Sequence, residues 1–185
     1  MTVKPPKEEI VDHLPALRAF AMSLTRNSAT ADDMVQDTVE KAWRNIEKFT
    51  PGTNLRAWLF TILRNSYYSN RRKARREVAD PEGVFVGQMS VKPAHDGHLQ
   101  LEEFRKAFAL LPDEQREALI LVGASGFSYE DAAEMCGCAV GTIKSRASRG
   151  RDKLAELMGL DDDEPLEMTD LQTMAVINQP AGGGR

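Results

Sequence analysis

Cysteine is almost absent. Cys136 and Cys138 are the two in 185 residues, and a single intervening residue is too short a span for an ordinary structural disulfide. No disulfide framework is expected to hold this fold. Histidine is equally scarce, with three in all (His13, His95 and His98) and none in a nucleophile motif. Zinc on Cys136 and Cys138 would need two further ligands, and His95 and His98 lack the spacing of a finger. No metal or other cofactor is expected, and Cys136 reads as a small core residue. There is no glycine-rich phosphate loop and no internal repeat, so neither nucleotide-dependent catalysis nor a solenoid is supported. No apolar run is long enough to span a bilayer, and the leading MTVKPPKEE lacks the apolar centre of a signal peptide. A cytoplasmic protein without enzymatic activity is expected.

An excess of positive charge is missing too. The formal net charge is -4, which argues against a protein that coats nucleic acid indiscriminately. The charges are unevenly placed, however. From Arg64 to Arg76 there are six cations (Arg64, Arg71, Arg72, Lys73, Arg75, Arg76) and no acid. From Lys144 to Lys153 there are five cations against Asp152 alone, whereas Glu156 to Asp170 holds seven acids and no cation. Two basic patches on an acidic molecule are the footprint of two separate polyanion contacts.

Where hydrophobic periodicity is sustained, it is helical. Residues 8–26 place Ile10, Leu14, Leu17, Ala21 and Leu24 on one side, with Pro15 expected to shift the helix start or kink it. Residues 30–49 carry a broad stripe of Ala31, Met34, Val35, Thr38, Val39, Ala42, Trp43 and Ile46, with Thr30 as the expected N-cap. Trp43 and Trp58 both read as core. The exposed face of this helix holds Asp33, Gln36, Asp37, Glu40 and Arg44, a polar set suited to a basic partner. After the turn at Thr50-Pro51-Gly52-Thr53, Asn54 is placed to cap a helix that changes from apolar to cationic along its length. Tyr67 and Tyr68, among those cations, have two readings: packing on the helix surface, or a platform for unstacked bases.

The period is lost from about 77 to 98, where Asp80-Pro81, Gly83, Gly87, Pro93 and Gly97 mark an interdomain linker. It resumes over 99–157 as a compact four-helix domain, whose second helix starts at Pro112-Asp113 and runs to Val122. The domain's last half reads as a short helix, a turn and a longer basic helix. Ser128 caps the first, with Tyr129, Ala132, Ala133 and Cys136 on its apolar face, and Gly137 ends it. Val140, Ile143, Ala147, Gly150, Leu154 and Leu157 then form one buried stripe. Its opposite face carries Gly141, Ser145, Ser148, Arg149 and Asp152, flanked by Lys144, Arg146 and Arg151. An apolar back with a small, polar and cationic front suits a helix entering a major groove, although any small helical bundle has similar periodicity. Residues 158–185 read as an acidic, disordered tail. The expected fold is all-α: two small helical domains (8–76 and 99–157) joined by a flexible linker, the second with a helix-turn-helix.

The order of these parts is recognisable. ADDMVQDTVEKAW, NLRAWLFTILRNSYYSNRRKARR, LLPDEQREALIL and GTIKSR together resemble the extracytoplasmic-function (ECF) group of bacterial sigma-70 family sigma factors over about residues 8–157. FTPGTNLRAWLFTILRN and LILVGASGFSYEDAAEMCGCAVGTIKSR are similar to the EcfG type, which serves the general stress response. The resemblance implies roles at matching positions. Asp33, Gln36, Asp37, Glu40 and Arg44 would dock on the clamp helices of the largest subunit of core RNA polymerase. Thr53, Asn54 and Arg56 would capture a flipped base of the −10 element, and Asn65, Tyr68, Arg71, Arg72 and Arg75 would lie along the melting DNA. Lys144, Ser145, Ser148 and Arg149 would read the −35 element, with Thr142 and Arg146 on phosphates. A small NepR-like anti-sigma protein is the implied regulator. Two rival readings are a sigma mimic that titrates an anti-sigma factor and a helix-turn-helix regulator independent of polymerase. The mimic is disfavoured because this chain has no room for a receiver domain and keeps its basic helix.

Overall fold

The structure, a computed structural model, describes residues 5–77 and 96–160. The linker expected at 77–98 and the tail expected at 158–185 fall largely outside the described residues. Two compact units form, each helical, and no strand occurs among the described residues.

In the first unit, α1 (Pro6–Glu9) and a 3-10 turn (Ile10–His13) lead into α2 (Leu14–Thr25). Pro15 lies in the first turn of α2, where a missing N–H costs nothing, so it sets the helix start without kinking it. The next helix, α3, spans Ser28–Arg44, and a 3-10 turn (Ile46–Lys48) leads on towards α4, Leu55–Glu77. The cap of α3 is Asn27, not Thr30: Asn27 is extended and its side-chain oxygen accepts from the Thr30 N–H at 2.9 Å. The helix therefore begins three residues earlier than the apolar stripe suggested. Asn54 caps α4 as expected, accepting from the Ala57 N–H at 3.0 Å.

The three long helices enclose one core. Leu17, Phe20, Ala21 and Leu24 of α2 meet Ala31, Met34 and Ala42 of α3 and Leu59, Phe60 and Leu63 of α4, all buried. Phe20 and Phe60 stack at 4.9 Å between centroids. Burying each such ring contributes about 1.5–3 kcal/mol, and the pairing adds about 0.5–1.5 kcal/mol. Polar ties join the helices at the rim. Arg18 on α2 donates to Asp32 at 2.6 Å and to Ser28 at 3.0 Å, Lys41 on α3 donates to Ser66 on α4 at 2.9 Å, and the Tyr67 hydroxyl donates to the Leu24 carbonyl at 3.0 Å. Trp43 is not core: it is 53% exposed. The deep positions of α3 are Ala31, Met34, Thr38 and Ala42, whereas Val35 and Val39 are half-buried. Trp43 ends that flanking row, one turn beyond Val39, where the neighbouring helices no longer cover it.

The second unit comprises α5 (Asp96–Leu110), α6 (Asp113–Leu119), α7 (Tyr129–Cys136) and α8 (Val140–Met158). After α6 the chain widens into a π turn, Ile120–Ala124, so the helical path extends slightly past the expected Val122. Ala107, Leu111, Ala118, Leu119, Ala147 and Leu154 make the buried cluster, with Phe104, Phe108, Tyr129 and Met158 packed against it. Leu157 is exposed, and Met158, four residues after Leu154, takes the inward place expected for it. α7 and α8 are joined by a Schellman turn. Gly137 adopts φ 63°, the Cys138 N–H reaches the Ala133 carbonyl at 3.0 Å, and the Gly137 N–H reaches Glu134 at 3.1 Å. Ser128 caps α7 by accepting from the Asp131 N–H at 3.0 Å.

Candidate nucleic-acid interface

Three sets of exposed side chains stand out, two on the first unit and one on the second. On α3, Asp33, Gln36, Asp37, Glu40 and Arg44 are all exposed. Gln36, Glu40 and Arg44 form an i, i+4 row in which Glu40 accepts from both neighbours at 3.4 Å. Among the described residues, Asp33 and Asp37 have no ion-pair partner. The neighbouring Asp32 instead points back to Arg18, whose hydrogen bond holds the Asp32 carboxyl below the usual carboxylate range. One acid of the run is thus spent on the fold, and the next two remain outward. Trp43 lies between Ala42 and Arg44 on the same last turn. It adds a large apolar surface to a polar face, and its place at the end of the Val35–Val39 row was the available sequence signal.

The turn before α4 is tied down by local contacts. The Thr53 hydroxyl donates to the Thr50 carbonyl at 2.7 Å, Gly52 takes φ 88°, and buried Phe49 packs on Trp58 at 5.4 Å between centroids. Thr53 and Asn54 are exposed on this anchored turn, while Arg56 is half-buried, its guanidinium 5.3 Å from the centre of the Phe60 ring. Burial lowers the Arg56 pKa from its ordinary value, so Arg56 belongs partly to the packing of α4. Further along, Asn65, Arg71, Arg72 and Arg75 are exposed. Tyr67 is a packing residue through its bond to Leu24, and it also accepts from Arg71 at 3.4 Å. Tyr68 meets Tyr67 edge-on and lies under Arg64 at 4.7 Å. Arg64 and Arg71 are therefore held against aromatic rings, which gives this part of the charge run a defined shape.

On the second unit the front of α8 presents Gly141, Lys144, Ser148 and Arg149, all exposed, with Thr142, Ser145 and Arg146 half-buried. Lys144 sits 5.6 Å above the Tyr129 ring. Arg149 is bonded to Ser145 through both its carbonyl and its hydroxyl. Arg146 turns sideways, pairing with Glu114 of α6 at 2.9 Å and approaching the Cys138 sulfur at 3.9 Å. A helix whose back is buried and whose front carries small residues between cations fits a major groove, and Arg149 has the donor fork that guanine O6 and N7 accept. Among the described residues no group of three metal-ligating side chains occurs, and no helix is long and apolar enough to cross a membrane.

This arrangement has close relatives. The family models described as Sigma-70 region 2 and Sigma-70, region 4 match residues 10–77 and 101–154. The ECF RNA polymerase sigma factor EcfG of Rhodopseudomonas palustris is 57% identical over 155 residues, 84% of this chain and 86% of that protein. The chain belongs to the ECF group of sigma-70 family RNA polymerase sigma factors. SigC, an ECF sigma factor of Mycobacterium tuberculosis, is 37% identical over 76% of this chain and 74% of its own length. Among solved structures, the sigma factor RpoE of Bartonella quintana, crystallised with the anti-sigma factor NepR, is 57% identical with a TM-score of 0.75, covering 84% of this chain and 97% of that one. Family membership places region 2 on the unit with the acidic α3 face and region 4 on the unit with the helix-turn-helix.

Proposed function

We propose that this ECF sigma factor binds core RNA polymerase and directs initiation at promoters of the general stress response. The observation that supports the reading is the pairing, in one chain, of two different basic surfaces with one exposed acidic face. A nuclease or an ordinary repressor has no use for that third face. The region 2 unit, taken as residues 8–76, docks on the clamp helices of the largest subunit through Asp33, Gln36, Asp37, Glu40 and Arg44, with exposed Trp43 as the apolar centre of the contact. Thr53, Asn54 and Arg56 line the anchored turn that receives a −10 base, and Asn65, Tyr68, Arg71, Arg72 and Arg75 follow the separated strand. The region 4 unit, taken as residues 99–157, holds the −35 duplex.

Two individually weak contacts joined through polymerase reach a high effective concentration and enforce promoter spacing. The net charge of -4 weakens binding of the free protein to DNA in the absence of its partner. The protein acts in the cytoplasm, without catalytic activity or cofactor of its own. A small NepR-like anti-sigma protein restrains it, a reading supported by the NepR complex of the Bartonella relative. Run-off transcription with purified core polymerase tests the reading: the chain should confer initiation that core alone lacks, whereas DNA binding without initiation would mark a polymerase-independent regulator.

A further inference from the structure

We propose that Glu114 is a positioning residue that holds Arg146 away from the DNA backbone and so limits the sequence-independent affinity of the region 4 unit. This rests on the reading of Arg146 as a phosphate contact. Arg149 and Lys144 are exposed on the front of α8, but the half-buried Arg146 guanidinium lies across the surface of its own unit. Its Nη2 is 2.9 Å from Glu114 Oε2, and its Nη1 is 3.9 Å from Cys138 Sγ. Its side chain is 20% exposed against 64% for Glu114. The two terminal nitrogens thus face the start of α6 and the turn before α8.

A carboxylate and a phosphate diester offer a guanidinium similar anionic oxygens. Glu114 therefore occupies the place a phosphate would take. When DNA arrives, Arg146 must exchange one anion for another, and the released carboxylate then faces the negative backbone. An exchange of this kind contributes less than a new contact, because the cation was already neutralised and releases little extra counterion from the duplex. Glu114 is mostly solvated, so the pair is weak enough to open. The contact lowers affinity for any DNA without abolishing it, which suits a protein meant to bind promoters only with polymerase.

The test uses the full chain and a fluorescein-labelled duplex of random sequence, about 20 base pairs long, titrated by anisotropy across a salt series. Glu114→Gln should tighten binding about two- to fivefold and steepen the log–log salt slope by up to about 0.9. Arg146→Ala should weaken binding, and in that background Glu114→Gln should give no gain. If Glu114→Gln leaves binding unchanged or weakens it while Arg146→Ala weakens it, Glu114 is a prop and the proposal fails. A gain that survives in the Arg146→Ala background also overturns it, as a general charge effect. Unweakened binding by Arg146→Ala would instead refute the phosphate reading beneath it. Arg146→Gln serves the same comparisons should the alanine variant lose its helical circular dichroism.

Discussion

Arg149 reaches back one turn of α8 and is held by Ser145, its Nε 3.2 Å from the Ser145 carbonyl and its Nη2 3.1 Å from the hydroxyl. The hydroxyl itself donates to the Thr142 carbonyl at 2.9 Å. A guanidinium fixed in this way loses less side-chain freedom on meeting a base. Arg149→Ala should therefore remove sequence discrimination at one −35 position, at about 1–3 kcal/mol for a bidentate contact. Ser145→Ala should leave the fork present but unanchored and lose a smaller part of the same discrimination. Competition binding with −35 duplexes varied base by base separates the outcomes, since an equal loss on every duplex would make Arg149 a phosphate contact.

The α3 face predicts a separable defect. Reversing Asp33 and Asp37 to lysine should abolish retention by core polymerase while the thermal melt stays within about 0.5 kcal/mol of the parent, because both are exposed and away from packing. Trp43→Ala should weaken retention as well, with little loss of stability given its 53% exposure. Normal pull-down by the Asp33→Lys, Asp37→Lys variant would remove this face from the account.

Much of this was legible in the sequence. The helical period, the Asn54 and Ser128 caps, the turn at Gly137 and the buried back of α8 follow from local rules that tertiary packing did not override. Trp43 was not legible, because a stripe states which side a residue faces and not how far the neighbouring helices extend. Thr30 was misassigned for a related reason: the apolar stripe of α3 begins at Ala31, but Ser28, Ala29 and Thr30 already belong to the helix that Asn27 caps. Glu114 was invisible, since its partner Arg146 lies 32 residues along the chain and only the packing of α6 on α8 brings them together.

Two glycines of α8 should respond oppositely to alanine. A Cβ at Gly150 would lie 3.0 Å from Leu119 Cδ1 and 3.3 Å from Gln115 Cβ, against a fully buried leucine. Overpacking there costs about 1–3 kcal/mol, which above its lower end exceeds the roughly 1 kcal/mol that alanine adds in a helix. Gly150→Ala should lower the melting temperature. At Gly141 a Cβ would meet nothing within 4 Å, so Gly141→Ala should raise stability by up to about 1 kcal/mol. Urea denaturation of each variant checks the two signs.

The Arg18–Asp32 pair gives a pH signature. Its hydrogen bond holds the Asp32 carboxyl below the usual range, so its contribution is complete above the unfolded-state pKa and is lost as pH falls through the folded one. The stability difference between the parent and Asp32→Asn should be present at neutral pH and close on acidification. A difference that is constant with pH would assign the loss to something other than this ion pair.

The central claim is that the two units act together as a promoter-reading subunit of polymerase. Run-off transcription with core polymerase on a template library varied at the −35 and −10 elements measures this directly. The account predicts full-length transcripts only with the chain present, from a restricted set of element pairs at a fixed spacing. They should be lost both with the Asp33→Lys, Asp37→Lys variant and with Arg149→Ala on the preferred −35 elements. Transcripts no more abundant or selective than with core alone, from a chain that still binds DNA, would contradict it.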